Sequence, residues 1–250
     1  VAHSLKVTAV STEQEWEALG VNSKEQLASL ERQLQKNQAQ ALLEQGVTLL
    51  DPARFDLRGT LKCGRDVTID VGCIFEGSVK LGDGVKVGAY SILKDCEVGA
   101  NTVIHPFCHL QGGMLGEANI IGPYARVRPE TTTAKGVHLG NFVEVKNSQV
   151  GEGSKANHLA YVGDASVGRN VNVGAGTITC NYDGANKHRT IIEDDVFIGS
   201  DSQLVAPVTI AAGSTIGAGS TIVSNTPPNQ LTVSRSKQVS IARWNRPKKG

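Results

Sequence analysis

The sequence predicts an all-β solenoid, a parallel β-helix with three short strands per coil, and three observations predict it. An aliphatic residue returns every six positions at Leu139, Val145, Val150, Ala156, Val162, Val167 and Val173, with two five-residue steps. A small or β-branched residue follows four places later. Glycine stands directly after the aliphatic residue at Gly140, Gly151, Gly163, Gly168 and Gly174, where a corner needs backbone freedom. The same period extends to both sides of this stretch. Each hexad is then a strand plus a turn, three make a coil of about 18 residues, and residues roughly 17 or 18 apart lie one above another.

Composition bounds the function. A chain of 250 residues can bury a large core, and its net charge of +1 argues for neither nucleic acid nor a membrane surface. There is no run of eighteen apolar residues for a transmembrane helix. The start at Val1, without a charged-then-apolar leader, reads as a trimmed longer protein rather than a signal peptide. Five cysteines with no CxxC spacing argue against a disulfide framework and a structural zinc site. Cys63, Cys73 and Cys108 fall on inward hexad positions, and a reducing, cytoplasmic compartment fits.

Taken in order, Leu5 to Val10 alternates like a strand without a visible partner. From Ser23 a capping box with Gln26 leads into Leu27, Leu30, Leu34 and Leu42, and Gly46 closes a long helix. Its apolar stripe is narrow and broken at Asn37 and Gln38, which reads as a linking arm, with an ordinary surface helix as the alternative. The hexads run from Leu57 through Cys63, Ile69, Phe75, Leu81, Val87, Leu93, Val98 and Ile104 to Leu110. A looser join is expected over Gln111 to Ile120. The repeat resumes at Ile121, breaks over Cys180 to Ile191, and returns from Ile192 to Ile222. Such a break is an external loop, and loops on rigid scaffolds often carry function. The predicted organisation is residues 1–22, a helical linker 23–50, a β-helix 51–225 with an external loop 180–191, and a tail 226–250. That tail is basic through Arg235, Lys237, Arg243, Arg246, Lys248 and Lys249. It is either a solubilising end or a contact for a phosphorylated ligand.

Stacking the hexads maps the surface. Arg128 and Lys146, each one place after an inward valine, fall over one another at about the strand spacing of 4.8 Å. Like charges so placed repel unless an anion lies between them, and Arg and Lys suit a phosphate; two solvated, splayed cations are the alternative. Glu144 falls beneath Tyr161, and Asn141 beneath His158, which lies beneath Ala175. Imidazole is the side chain that accepts a proton near neutrality, so His158 beside two cations, a carboxylate and a phenol is a candidate base. Discounting about seven extra loop residues, Ala175, Ser200 and Ala218 share one column. Small residues there leave a shallow groove for a long, thin ligand.

Five strings carry a family resemblance: DPARFDLRGTL (Asp51 to Leu61), GNFVEVKNS (Gly140 to Ser148), HLAYVGD (His158 to Asp164), NVGAGTITCNYDGANK (Asn172 to Lys187) and VFIGSDSQLVAPV (Val196 to Val208). The chain resembles hexapeptide-repeat acetyltransferases, and among them the bifunctional N-acetylglucosamine-1-phosphate uridyltransferase/glucosamine-1-phosphate acetyltransferase family, over essentially its whole length. EALGVNSKEQLASLER before the arm looks like the end of a uridyltransferase domain. The resemblance implies a left-handed coil, a homotrimer with sites between subunits, and a cytoplasmic enzyme of cell-wall and lipopolysaccharide precursor synthesis. It implies His158 as general base; Arg128, Lys146, Tyr161, Asn172 and Lys187 around the sugar phosphate, to which the stacking adds Glu144; and Ala175, Asn181, Tyr182, Ser200, Ala218 and Arg235 along acetyl-CoA. Asn172, Asn181 and Tyr182 rest on the resemblance alone. Asn22 matches a magnesium ligand of the uridyltransferase site, whose acidic partner and Gly-rich loop are not in the sequence, so that activity is expected to be absent. Glu130 and Asn157 stand where the family pattern has Gly.

The implied chemistry has His158 removing a proton from the amine of glucosamine 1-phosphate as it attacks the thioester of acetyl-CoA. A backbone N–H near Ala175 faces the oxyanion, and the product is N-acetylglucosamine 1-phosphate. Two other classes compete. Three histidines can hold a metal on a β-helix, as in gamma-class carbonic anhydrases, but His138, His158 and His188 fall at different hexad phases. An ice-binding solenoid would show a flat column of threonines, which this sequence lacks. A loop that cannot pack on its own coil is expected to reach a neighbouring subunit.

Overall fold

A computed structural model describes residues 7–247. Within them the chain is a parallel β-solenoid preceded by one α-helix, Lys24–Glu44. The named strands pair only in parallel, each with the strand one coil away. One face is an 11-stranded ladder that runs from Thr48–Leu49 to Leu231–Thr232. Parallel pairing thus extends past residues 51 and 225 on either side. Ordinary coils advance by about 17 residues, as from Asn141 to His158, whereas the coil with the loop advances by 25, as from Arg169 to Asp194.

The inward hexad residues form one continuous core, with Ile69, Leu93, Ile104, Leu110, Ile121, Leu139, Ile198 and Ile216 almost wholly buried. Burial of each stabilises by roughly 1.5–3 kcal/mol. The expected looser join over Gln111 to Ile120 is not there. Leu115 takes the inward place, and Gly113–Leu115 pairs with Glu97–Val98 below and Thr131–Thr133 above. The step from Leu110 to Leu115 is a five-residue one, like that from Val145 to Val150, and it shifts the period without breaking it. Cys73 and Cys108 are core residues, joined by Cys96, whose thiol burial pushes up to about 12. Cys63 is only half-buried at the edge of that core.

Three corners turn each coil, and each has its own chemistry. All three use the left-handed backbone region, which L residues other than Asn and Asp seldom enter. One corner is filled by Asp66, Asn101, Asn170, Asp195 and Asn229. A second carries Asp95, Glu130, Asn147 and Asp164. The third holds Tyr90, Phe107, Tyr124 and Phe142, whose rings stack in file with centroids 5.5, 5.1 and 5.3 Å apart. Each ring pair contributes about 0.5–1.5 kcal/mol, which offsets the cost of bulky residues at positive φ. Leu159 ends that file, exposed. Between corners the coils touch closely: a Cβ on Gly140 would stand 1.9 Å from the Asn157 carbonyl oxygen.

Ser23 caps the helix, its Oγ accepting from the Gln26 N–H at 3.1 Å. The Gln26 side chain reaches back one residue further than a capping box requires, accepting from the Asn22 N–H at 2.7 Å. Gly46 follows the helix at φ +89°. The linking-arm reading needs correction for the second half. Gln35 is fully buried and exchanges hydrogen bonds with the Leu57 N–H (2.7 Å) and carbonyl (3.1 Å), while Ala39 and Leu42 join the core. Arg32 reaches Asp56 at 3.0 Å. These turns close the end of the solenoid, whose first coil would otherwise expose its apolar interior. Val7–Val10 forms no strand; Leu5 of that expected strand, and Lys248 and Lys249 of the basic tail, lie outside the described residues.

Candidate active site

His158 ends the strand Lys155–His158, directly over Asn141. Its Nδ1 stands 2.6 Å from Asn141 Oδ1. An amide oxygen can only accept, so Nδ1 carries the proton and Nε2 is left as the basic nitrogen. Both side chains line an open cleft of about 360 Å³ with His138, Asn157, Tyr124 and Phe142. Burial, with His105, His158 and Lys155 nearby, lowers the pKa of His138 and favours its neutral form. His188, the third histidine of the metal reading, is elsewhere: its Nε2 lies 2.7 Å from Asp183 Oδ2 on the loop. The three do not converge.

Across the corner at Leu159 lies a charged face. Glu144 pairs in register with Arg126 below and Tyr161 above. Arg128 Nη1 donates to Glu144 Oε1 at 2.8 Å, so its charge is met by a carboxylate rather than stacked bare over Lys146. The like charge that acts most on Lys146 is that of Lys187 on the neighbouring loop. Lys187, then burial and Arg128, lower the pKa of Lys146, while Asp164 opposes them. Two ammonium groups near each other, with a guanidinium one coil below, concentrate positive charge on this face.

The loop between the strands Ile178–Cys180 and Thr190–Ile192 is a small hairpin with an antiparallel bridge from Tyr182 to Lys187. It does pack on its own coil, contrary to expectation. Asn181 Nδ2 donates to Asp164 Oδ2, and Arg189 Nη2 donates to Ser166 Oγ at 2.8 Å. Tyr182 is exposed, its hydroxyl donating to the Gly184 carbonyl at 2.6 Å. Sequence reasoning missed Asp164, which is buried and joins Asn147 and Asn181. Its place one residue after Gly163, over Asn147 in the coil register, was the available signal.

Ala175, Ser200 and Ala218 share one column above His158, as the registers of Val173 with Ile198 and of Ile198 with Ile216 require. Arg235 closes that column, its Nη1 donating to the Ala218 carbonyl at 2.6 Å. Asn172 is not brought to the charged face; it lies over Lys155, three places before His158. Asn22 stands at the start of the helix, far along the chain from these residues. Glu130 adopts φ +63°, a reason for glycine at that place, and Asn157 Oδ1 is buried without a partner.

Stacked hexapeptide coils carrying a small-residue column above a tautomer-fixed histidine point to a class, the hexapeptide-repeat transferases. Residues 189–224 match the family described as bacterial transferase hexapeptide (six repeats). The chain is 62% identical over 249 residues to the bifunctional protein GlmU of Azoarcus sp. (strain BH72), covering 100% of this chain and 55% of that protein. It is 64% identical over 249 residues to bifunctional GlmU of Nitrosospira multiformis, covering 100% of this chain and 54% of that one. The chain belongs to the GlmU family and corresponds to its C-terminal part, spanning about half the length of these relatives. The solved structure of an Arabidopsis UDP-N-acetylglucosamine acyltransferase shares the fold, with a TM-score of 0.52 and 17% identity over 72% of this chain and 70% of that one.

Proposed function

We infer that the chain transfers an acetyl group from acetyl-CoA to the amine of glucosamine 1-phosphate, giving N-acetylglucosamine 1-phosphate for UDP-N-acetylglucosamine synthesis. The observation that carries this reading is His158, whose Nδ1 is tied to Asn141 so that Nε2 is free to act as base. The anion site of Lys146, Lys187 and Arg128 lies across one corner and suits the sugar's phosphate. High identity to bifunctional GlmU proteins along the whole chain supports the same reading.

Acetyl-CoA, when bound, supplies the acetyl group as a thioester. The residues fit such a ligand: Ala175, Ser200 and Ala218 leave room along the coil, and Arg235 sets a guanidinium at the column's end for a phosphate. His158 Nε2 takes the proton from the attacking amine, and a neutral imidazole is required for that step. The Ala175 N–H has no acceptor among the described residues and is available to an oxyanion. Lys146 and Lys187 hold the phosphate, and Glu144, one coil below Tyr161, orients Arg128.

His158 and the charged face lie on either side of the exposed Leu159 corner, and Asn172 lies on a third line. This separation favours a site completed by a neighbouring copy, hence a homotrimer, with a left-handed coil as in the family. Among the described residues no helix is long and apolar enough to cross a membrane; the unpaired cysteines fit a cytoplasmic setting. Thiol release from acetyl-CoA, followed with glucosamine 1-phosphate as acceptor, tests the function. No release above the uncatalysed rate would reject it.

A further inference from the structure

Lys187 rides on an inserted hairpin, bridged to Tyr182, and the like charge of Lys146 nearby disfavours its approach, so its place depends on how the hairpin is seated. The hairpin is built from within. Its Tyr182–Lys187 bridge is joined by Asp183 Oδ1, which accepts from the N–H groups of Ala185 (2.8 Å) and Asn186 (2.7 Å). On the coil, Arg189 at the exit donates to Ser166 Oγ, Gln149 Oε1 and the Ala165 carbonyl, while Asp164 meets both ends. At the entry, Asn181 Nδ2 donates to Asp164 Oδ2. At the exit, the Thr190 N–H donates to the Asp164 carbonyl oxygen at 3.1 Å. One residue therefore clasps both ends of the loop.

Asp164 is itself well fixed. It is 5% exposed, its Oδ1 accepts from Asn147 Nδ2, and its N–H donates to the Lys146 carbonyl at 3.0 Å. The last bond ties it to the residue that Lys187 must face. A buried carboxylate needs donors on its oxygens, and here the donors are two amides, one of them on the loop. Its negative charge also opposes the mutual repulsion of the two lysines.

We propose that Asp164 is the positioning residue of the anion site: it seats the 180–191 loop on the coil and so holds Lys187 against Lys146 in the arrangement that grips the substrate's phosphate. This rests on the functional reading above. In Asp164→Asn the side chain keeps its size but places an amide against two amide donors and loses its charge.

The test compares hydrogen–deuterium exchange and steady-state kinetics of the intact chain with those of Asp164→Asn, Asp164→Glu and Asn147→Ala. Asp164→Asn is expected to raise exchange of the loop amides selectively, leaving the strand ladders protected. It is also expected to raise KM for glucosamine 1-phosphate about tenfold or more, with a smaller change in kcat. Asp164→Glu, which keeps the charge, should restore part of the KM. Asn147→Ala, which removes the donor outside the loop, should show the same pattern more weakly and serves if Asp164→Asn does not fold. Unchanged loop exchange with unchanged KM in the folded variants overturns the proposal, as does a fall in kcat alone. If the unaltered chain releases no CoA with glucosamine 1-phosphate, the functional reading fails, and loop exchange alone still decides whether Asp164 seats the loop.

Discussion

At the scale of single residues, the contact of 2.6 Å between His158 Nδ1 and Asn141 Oδ1 does most to define the chemistry, because it selects the tautomer. An amine attacks only when it can shed a proton, so removing the base should slow turnover by roughly 10²- to 10⁴-fold. His158→Ala is expected to show that loss in kcat while retaining acetyl-CoA affinity by calorimetry, since the proposed cofactor column runs through Ala175, Ser200 and Ala218. Near-normal turnover would make the imidazole a surface residue and leave Glu144 as the next base to consider. Lys146→Ala should chiefly raise KM for the sugar phosphate. The direction of the Lys146 shift adds a pH dependence. Lys187 holds its pKa below the ordinary lysine value, so Lys146 is charged at lower pH and discharges earlier as pH rises. KM for the phosphorylated sugar is therefore expected to climb on the alkaline side at a lower pH than an ordinary lysine would allow, and a KM profile over pH in Lys146→Arg, whose charge does not titrate, should lose that climb.

At the scale of elements, the helix Lys24–Glu44 is the most informative departure from pattern reading. A narrow apolar stripe is the mark of an arm, but here a polar residue makes the deepest contact. Gln35 satisfies both backbone groups of Leu57 at the open end of the coil. Gln35→Leu fills the same space and leaves that N–H and carbonyl buried without partners, at a cost of about 1–3 kcal/mol. Urea unfolding should register it as a lower midpoint; an unchanged midpoint would mean that the helix contributes nothing to the solenoid's stability. Gln35 could not have been picked out in the sequence, since burial of an amide depends on the coil end that it meets.

At the scale of the whole molecule, the file of Tyr90, Phe107, Tyr124 and Phe142 leaves each ring about half exposed beside the His158 cleft. Apolar surface of that kind is commonly covered in an assembly. Light scattering is expected to return three times the mass of the chain. A monomer at working concentration would remove the basis for a site shared between copies and would require His158 and Lys146 to serve one substrate across the Leu159 corner of a single chain.

Repeat periodicity alone determined the parallel coil, the inward residues apart from Leu115 and Cys63, the stacking of Glu144 under Tyr161 and Asn141 under His158, and the position of the inserted loop. It could do so because each coil repeats the same geometry, so a residue's phase in the hexad states its direction and its neighbours. Tertiary structure decided what phase does not encode. Arg128 turned to Glu144 instead of standing bare over Lys146, the loop folded back to bring Lys187 to Lys146, and Asp164 became its anchor. Side-chain rotation and the path of an insertion are set by which charges and hydrogen-bond partners meet in space, and residues far apart in sequence meet only once the coil is wound.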